Sequence, residues 1–230
     1  MQQKGRLISF MSAQSGNGAS MADAHAAWAL VNERHAKVLV ADLDFHSGAT
    51  ADRLRLEPRG TWAELVGVDP ASGSCRQANS SYAGIDLLLP TASANVIGFR
   101  GFPPIEAVLE AAAPTYDVVI ADLPSALSTS ARAVVARPDR IYPFCTPEPT
   151  SLHLVKRRMS ELTSAGIDVS RVAIMLPCIA PHPLLDTTDG KKVLGRPVEL
   201  QIPNDYLAAS QAKPKRKGVW PVLADSLQER

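Results

Sequence analysis

Short runs of consecutive apolar residues recur along the chain and alternate with longer stretches rich in helix-forming residues. Such uninterrupted apolar runs are typical of strands buried on both faces, as in a parallel sheet. Strands are predicted at 7–11, 37–42, 85–89, 116–122, 140–144 and 171–176. Helices are predicted at 21–31, 105–113 and 151–165. The alternation predicts an α/β fold whose mostly parallel, doubly wound sheet carries helices on both faces.

Two stretches depart from this alternation. Between Leu54 and Gly84 the sequence is rich in Gly, Ser and Asn, and only 61–65 has a helical pattern, so we expect an excursion outside the sheet. After residue 176, prolines interrupt the pattern, and a basic run at 213–217 precedes the end of the chain. Because single α/β domains of 230 residues are common, one domain covering 1–230 is expected.

Composition excludes several classes of protein. A net charge of +1 gives no overall attraction to nucleic acid or to an anionic membrane, so such binding would need a local patch. The three cysteines, Cys75, Cys145 and Cys178, have no zinc-ligand spacing. No cationic-then-apolar stretch precedes Arg6 and no apolar run approaches membrane length, so neither a secretory leader nor a membrane helix is expected. A reduced, cytoplasmic protein without a transmembrane segment is predicted.

The turn after the first predicted strand has the pattern of a phosphate loop without its cations. A P-loop reads G-x-x-x-x-G-K-[ST], with backbone N–H groups around the phosphates, a lysine on the outer phosphates and a hydroxyl on Mg²⁺. In this chain Ala13 replaces the first glycine and Ala19 replaces the lysine. The remaining elements are Gly16, Gly18 and Ser20. A helix N-terminus still favours anions, so the cradle is predicted to persist without its charge.

Two other interpretations of this turn remain open. It could be an ordinary strand-to-helix connection with Ser20 as the N-cap of the helix. A dinucleotide-binding turn is disfavoured, because Met21 stands where the third glycine of G-x-G-x-x-G is needed.

Three carboxylates follow predicted strands: Asp42, Asp44 and Asp122. Any one of them alone would most simply terminate a strand. Parallel sheets bind ligands at the carboxyl ends of their strands, so together with the loop they indicate a nucleotide site. In such a site Asp122 and Ser20 hold Mg²⁺, Asp42 or Asp44 orients the attacking water, and Asp44 and Asp122 are the catalytic candidates.

These motifs resemble the deviant-Walker P-loop ATPases of the ParA/MinD family, and most closely the pilus-assembly branch called CpaE or TadZ. The branch tolerates an alanine in place of the loop lysine, as in 15–20 here. The family's hhhhD-x-D and hhhhD-x-P strands are similar to 38–44 and 118–124. The branch's T-x-P-E-x-x-S-L, G-R-P and I-P-N-D-Y elements are similar to 146–152, 195–197 and 202–206.

The resemblance implies a nucleotide site with ATP and Mg²⁺ as cofactors. Its nucleotide-binding residues are Gln14, Ser15, Gly16, Asn17, Gly18, Ala19, Ser20 and Asp42. Three family contacts are missing, because Gln14 and Ala19 replace lysines and Leu176-Pro177 replaces the asparagine that reads adenine. Losing two charge-assisted contacts costs roughly 3–6 kcal/mol, or about 10²–10⁴-fold in affinity. Weak nucleotide binding and little or no hydrolysis are therefore expected, as in a degenerate ATPase.

In function, the resemblance implies a localisation or assembly factor for a type IV-like (Flp/Tad) pilus. The expected partners are pilus or secretion-system proteins, with no specific nucleic acid. The chain is expected either to form a homodimer without ATP or to remain a monomer. Association with a membrane or a cell pole would then be through those partners. The receiver-like domain usual in the branch is expected to be lacking. The alternative is an active ParA-type ATPase that acts in DNA partitioning or positioning.

Overall fold

The computed structural model describes residues 5–14, 18–44, 49–58, 80–90, 105–125, 129–177 and 187–202. The strands are β1 (Arg6–Ser12), β2 (Val38–Asp42), β3 (Ser80–Tyr82), β4 (Ile85–Leu88), β5 (Val118–Leu123), β6 (Arg140–Phe144), β7 (Met175–Pro177) and β8 (Leu200–Ile202). They form one eight-stranded sheet in the order β3-β4-β2-β5-β1-β6-β7-β8. Every neighbouring pair is parallel except β3 and β4.

Helices cover both faces of this sheet. They are α1 (Ala19–Arg34), α2 (Ala49–Leu54), α3 (Ile105–Ala112), α4 (Thr129–Val135), α5 (Pro149–Ser164) and α6 (Thr187–Leu194). The alanines of α1 pack on one face, against alternate strand residues such as Ile8, Val40 and Ile120. On the opposite face α3 and α4 contribute Leu109 and Val134 to a second buried cluster. The predicted mostly parallel, doubly wound α/β fold is confirmed.

The centre of the sheet is apolar and fully buried. β1 lies between β5 and β6, and neither neighbour occurs earlier in the sequence than residue 118. Phe10 of β1 is 0% exposed, and its ring stacks on that of Tyr142, with 5.4 Å between the ring centroids. In register, Phe10 lies opposite Asp122. β1 therefore runs from the hydrophobic core to the edge of the sheet where Asp122 lies.

The prediction of a strand over 171–176 is wrong in its bounds. Only Met175–Pro177 form β7, and Val172 contributes an isolated bridge to β6. Instead of pairing with a neighbouring strand, the amide of Ile174 donates a hydrogen bond of 2.7 Å to the Glu199 carboxylate. A glutamate distant in sequence thus shortens this strand.

The expectation that 54–84 lies outside the sheet is also wrong at its end. Residues Ser80–Tyr82 form β3, an antiparallel edge strand paired with β4. Ala83 and Gly84 connect the two strands with φ of 51° and 84°. Positive φ at both central residues is characteristic of the tight turns that join hairpin strands. Residues 59–79, including the helix predicted at 61–65, lie outside the described residues.

Beyond residue 176 the structure contains two elements that the sequence pattern did not predict, α6 and β8. β8 is parallel to β7 and begins where the amides of Glu199 and Leu200 donate to the carbonyl of Ile174. The basic run 213–217 lies outside the described residues. None of the helices in the described part of the chain is long and apolar enough to span a bilayer.

Candidate functional site

The helix that follows the loop begins at a glycine. Gly18 is the N-cap of α1, with φ 96° and ψ 9°, a left-handed conformation that favours glycine. Its carbonyl accepts hydrogen bonds from the amides of Met21 and Ala22, at 3.1 and 3.0 Å. Ser20 therefore lies within the first turn, and its interpretation as the N-cap is wrong. The hydroxyl of Ser20 is consequently free to bond elsewhere.

The two positions that would carry lysines have different environments. Gln14 is exposed, and its carbonyl accepts a hydrogen bond from the Ser12 hydroxyl. Ala19 is only 3% exposed and packs in the core cluster beneath α1. No Lys or Arg stands between Arg6 and Arg34, so neither the loop nor the start of α1 carries a Lys or Arg charge. The predicted loop residues Ser15, Gly16 and Asn17 lie outside the described residues.

Two of the predicted acids lie side by side on the face of the sheet that carries α1. Asp42 of β2 and Asp122 of β5 are partners in register. Each follows by two residues a side chain that packs under α1, Val40 and Ile120 respectively, so the carboxyls share that face. Both residues are buried, at 2% and 3% exposure. The Ser20 hydroxyl donates a hydrogen bond to the carboxylate of Asp122, which brings the loop and β5 together.

Asp42 is held by its own set of donors. The amide of Asp44 donates to Asp42 Oδ1 at 2.9 Å. From α2, the hydroxyl and the amide of Thr50 also donate to this carboxylate. Asp44 itself is half-buried and lies near enough to add its negative charge to the site. The structure thus gathers Ser20, Asp42, Asp44 and Asp122 at one edge of the sheet.

A third buried carboxyl completes the cluster, and the sequence did not predict it. Asp23 lies on α1, three residues after Ser20, and is 2% exposed. Its carboxyl is hydrogen-bonded to that of Asp122, so one of the two carboxyls holds the proton that they share. Residues three apart share a helix face, so an acid at this spacing in an alanine-rich helix was the available signal. Thr50 was missed as well, and no local pattern distinguishes it.

Burial raises the pKa of all three carboxyls, because a charged group loses its hydration. For Asp122 the pKa rises to about 7, with burial first and the charge of Asp42 second, against the hydrogen bonds from Ser20 and Asp23. Burial, followed by the charges of Asp122 and Asp42, holds the pKa of Asp23 well above its usual range. The pKa of Asp42 is raised by burial and partly restored by Thr50 and the Asp44 amide. At neutral pH the cluster therefore keeps protons that isolated aspartates would lose.

The turn that leads into α5 is also built around a buried polar side chain. Ser151 is fully buried, and its hydroxyl accepts a hydrogen bond from the amide of Thr146 at 2.9 Å. Pro149 is the first residue of α5, where a missing N–H costs nothing. The spacing of Thr146, Pro149 and Ser151 in the sequence is therefore explained by the geometry of one turn.

Solved structures with this architecture include a ParA family ATPase and the cell division ATPase MinD. A ParA family ATPase from Chlorobium tepidum is 21% identical, with a TM-score of 0.79 over 97% of this chain and 99% of that one. The septum site-determining protein MinD from Pyrococcus horikoshii, solved with Mg-ADP, is 19% identical, with a TM-score of 0.77 over 97% and 96% of the chains. A variant of McdA from Cyanothece, solved with ATP, is 15% identical, with a TM-score of 0.71 over 99% and 98%.

The fold defines the class as a P-loop type of α/β protein. Within that class, the chain has the ParA/MinD-like fold. No protein-family model matches the chain, and no curated protein sequence matches it.

A magnesium nucleotide, which the fold implies, fits this site only in part. Ser20, Asp42 and Asp122 offer the oxygen ligands that a hydrated magnesium ion takes. Within the described residues, however, no group of three or more His, Cys, Asp or Glu is arranged to hold a metal ion by itself. The loop has no lysine that could contact a triphosphate. Asp23 also adds a third buried carboxyl to the site. The site therefore lacks a loop lysine to neutralise a triphosphate and contains one more buried acid than the sequence predicted.

Proposed function

We propose that this chain is a CpaE/TadZ-like localisation or assembly factor for a type IV-like (Flp/Tad) pilus. It acts through protein contacts, binds ATP and Mg²⁺ weakly at most, and hydrolyses ATP slowly or not at all. The observation that carries the proposal is the charge of the site. Asp23, Asp42 and Asp122 lie buried beside a loop that has no lysine. Phosphoryl transfer relies on positive charge around the transferring group, and this site offers the opposite.

The turn at 146–152 supports the pilus branch in particular. Its sequence, T-P-E-P-T-S-L, is similar to the branch's T-x-P-E-x-x-S-L element but one residue shorter, and the Thr146–Ser151 hydrogen bond gives the sequence a structural reason. The G-R-P element at 195–197 has a comparable role here. The guanidinium of Arg196 donates to the carbonyls of Val169 and Val172, at 3.1 and 2.7 Å. The first element closes the turn between β6 and α5, and Arg196 ties the segment before β8 to residues 169–172.

The proposal is tested by removing the charge of Asp122 in the source organism. Deleting the gene should abolish Flp/Tad pili, and a copy carrying Asp122→Asn should restore them, because no step depends on hydrolysis. The purified wild-type protein should likewise release phosphate from ATP no faster than this variant. Pili that return with the wild-type gene but not with a folded Asp122→Asn protein would contradict the proposal. A segregation defect with normal pili would favour the ParA-type alternative.

Weak DNA affinity is expected from the same charge balance. The net charge is +1 and the densest positive run is 213–217, so few phosphates can be neutralised. Nonspecific duplex DNA should therefore dissociate as salt rises towards physiological strength, with a shallow salt slope. Fluorescence anisotropy over a salt series measures this, with a variant lacking the charges of Lys215, Arg216 and Lys217 as the control. Binding that persists at high salt and disappears in the variant would support partitioning.

A further inference from the structure

We propose that Asp23 keeps the site closed to magnesium nucleotide by occupying Asp122 and by placing a third acid beside the loop. The inference rests on the proposed function and adds one residue to it. Weak nucleotide binding is then a consequence of a group that is present, as well as of two lysines that are missing.

The position of Asp23 is the first reason. It lies one turn into α1, on the same face as Ser20, and both side chains bond to the Asp122 carboxylate. A magnesium ion held between Ser20 and Asp122 would have to displace the Asp23 carboxyl from the Asp122 carboxylate or share that carboxylate with it. The carboxyl of Asp23 therefore competes directly for the oxygens that the fold would offer to the metal.

The charge of Asp23 is the second reason. Asp23 is 2% exposed, so water screens its charge poorly, and the residues that act on it most strongly are the acids Asp122 and Asp42. An ionised Asp23 would repel the phosphate groups of a nucleotide bound at this site. A protonated Asp23 donates to Asp122 and engages the metal-binding oxygen. In both states the group opposes a magnesium nucleotide.

The other two acids do not have this effect. The Asp42 carboxylate already accepts hydrogen bonds from Thr50 and from the Asp44 amide. Asp122 is the strand-end acid that the fold would use for magnesium. Asp23 is the one buried acid of the described cluster that comes from the helix following the loop. Its removal leaves the strand-end acids in place.

The test compares variants of the full chain for binding of ATP with excess Mg²⁺, by equilibrium dialysis. Wild type is expected to bind with a dissociation constant of about a millimolar or weaker. Asp23→Ala removes both the charge and the hydrogen bond, and should tighten binding at least about tenfold. Asp23→Asn removes the charge but retains a donor towards Asp122, so its gain should be smaller. Circular dichroism and thermal unfolding verify that each variant is folded.

Asp86→Asn is the matched control for net charge. Asp86 is a half-buried acid on the opposite face of the sheet, where its carboxylate accepts a hydrogen bond of 2.9 Å from the Tyr116 hydroxyl. Its removal should leave ATP binding unchanged. Equal tightening in Asp86→Asn, or no tightening in either folded Asp23 variant, would overturn the role of Asp23 and leave the proposed function intact. Tight ATP binding by wild type would overturn the proposed function itself.

Discussion

The free energy of unfolding should fall by about 2–3 kcal/mol between pH 5 and pH 8, from Asp122 alone. Its pKa in the folded protein is about 7, above the usual value of 3.8. The folded state therefore holds a proton that the unfolded state has already lost, so stability declines as pH rises. This contribution is fully present below about pH 4 and has been lost once the pH passes about 7. The raised pKa values of Asp23 and Asp42 act in the same direction.

Asp23→Asn should make this pH dependence shallower and should raise stability at pH 8. The asparagine carries no charge, and its amide can donate to an ionised Asp122, so the pKa of Asp122 should fall. The measurement is urea unfolding at pH 5, 6, 7 and 8, with Asp86→Asn as the control that removes an acid from the other face of the sheet. Stability that rises with pH in wild type, or an unchanged slope in Asp23→Asn, would contradict the ionic arrangement described for the site.

Phe10→Ala should lower the free energy of unfolding by about 3–5 kcal/mol. The ring is fully buried, stacks on Tyr142 and belongs to the core cluster under α1, so its removal leaves a large cavity. Chemical denaturation of the purified variant measures the loss. Phe10→Leu keeps most of the apolar volume and should lose less than half as much. If the alanine variant lost less than about 1 kcal/mol, β1 would not be the packed centre of the sheet.

The central strands were predictable because burial on both faces leaves an unbroken apolar run in the sequence. β1, β2, β5 and β6 all begin and end within two residues of their predicted positions. The edges of the sheet were not predictable in this way. β3 and β8 have only three residues each, and their pairing depends on a turn at 83–84 and on amides at 199–200. Contacts of this kind are set by the tertiary structure.

Only part of the candidate site could be predicted from the sequence, for the same reason. Asp42 and Asp122 could be inferred because each follows an apolar strand, and parallel strands bring their carboxyl ends to one edge. The role of Asp23 could not be inferred, since it depends on how α1 lies over β5. In the sequence Asp23 is one acid among alanines, and only the fold shows that it is buried against another acid.

The place of β1 in the sheet has a consequence for synthesis of the chain. Its described sheet neighbours, β5 and β6, are translated long after it, and β5 is complete only when Leu123 has been added. At roughly 5–20 residues per second, the apolar segment 7–11 waits about 6–22 s before its first partner strand is complete. During that time it is an unpaired apolar strand of the nascent chain. Co-translational chaperone binding to this segment would therefore limit aggregation before the sheet closes.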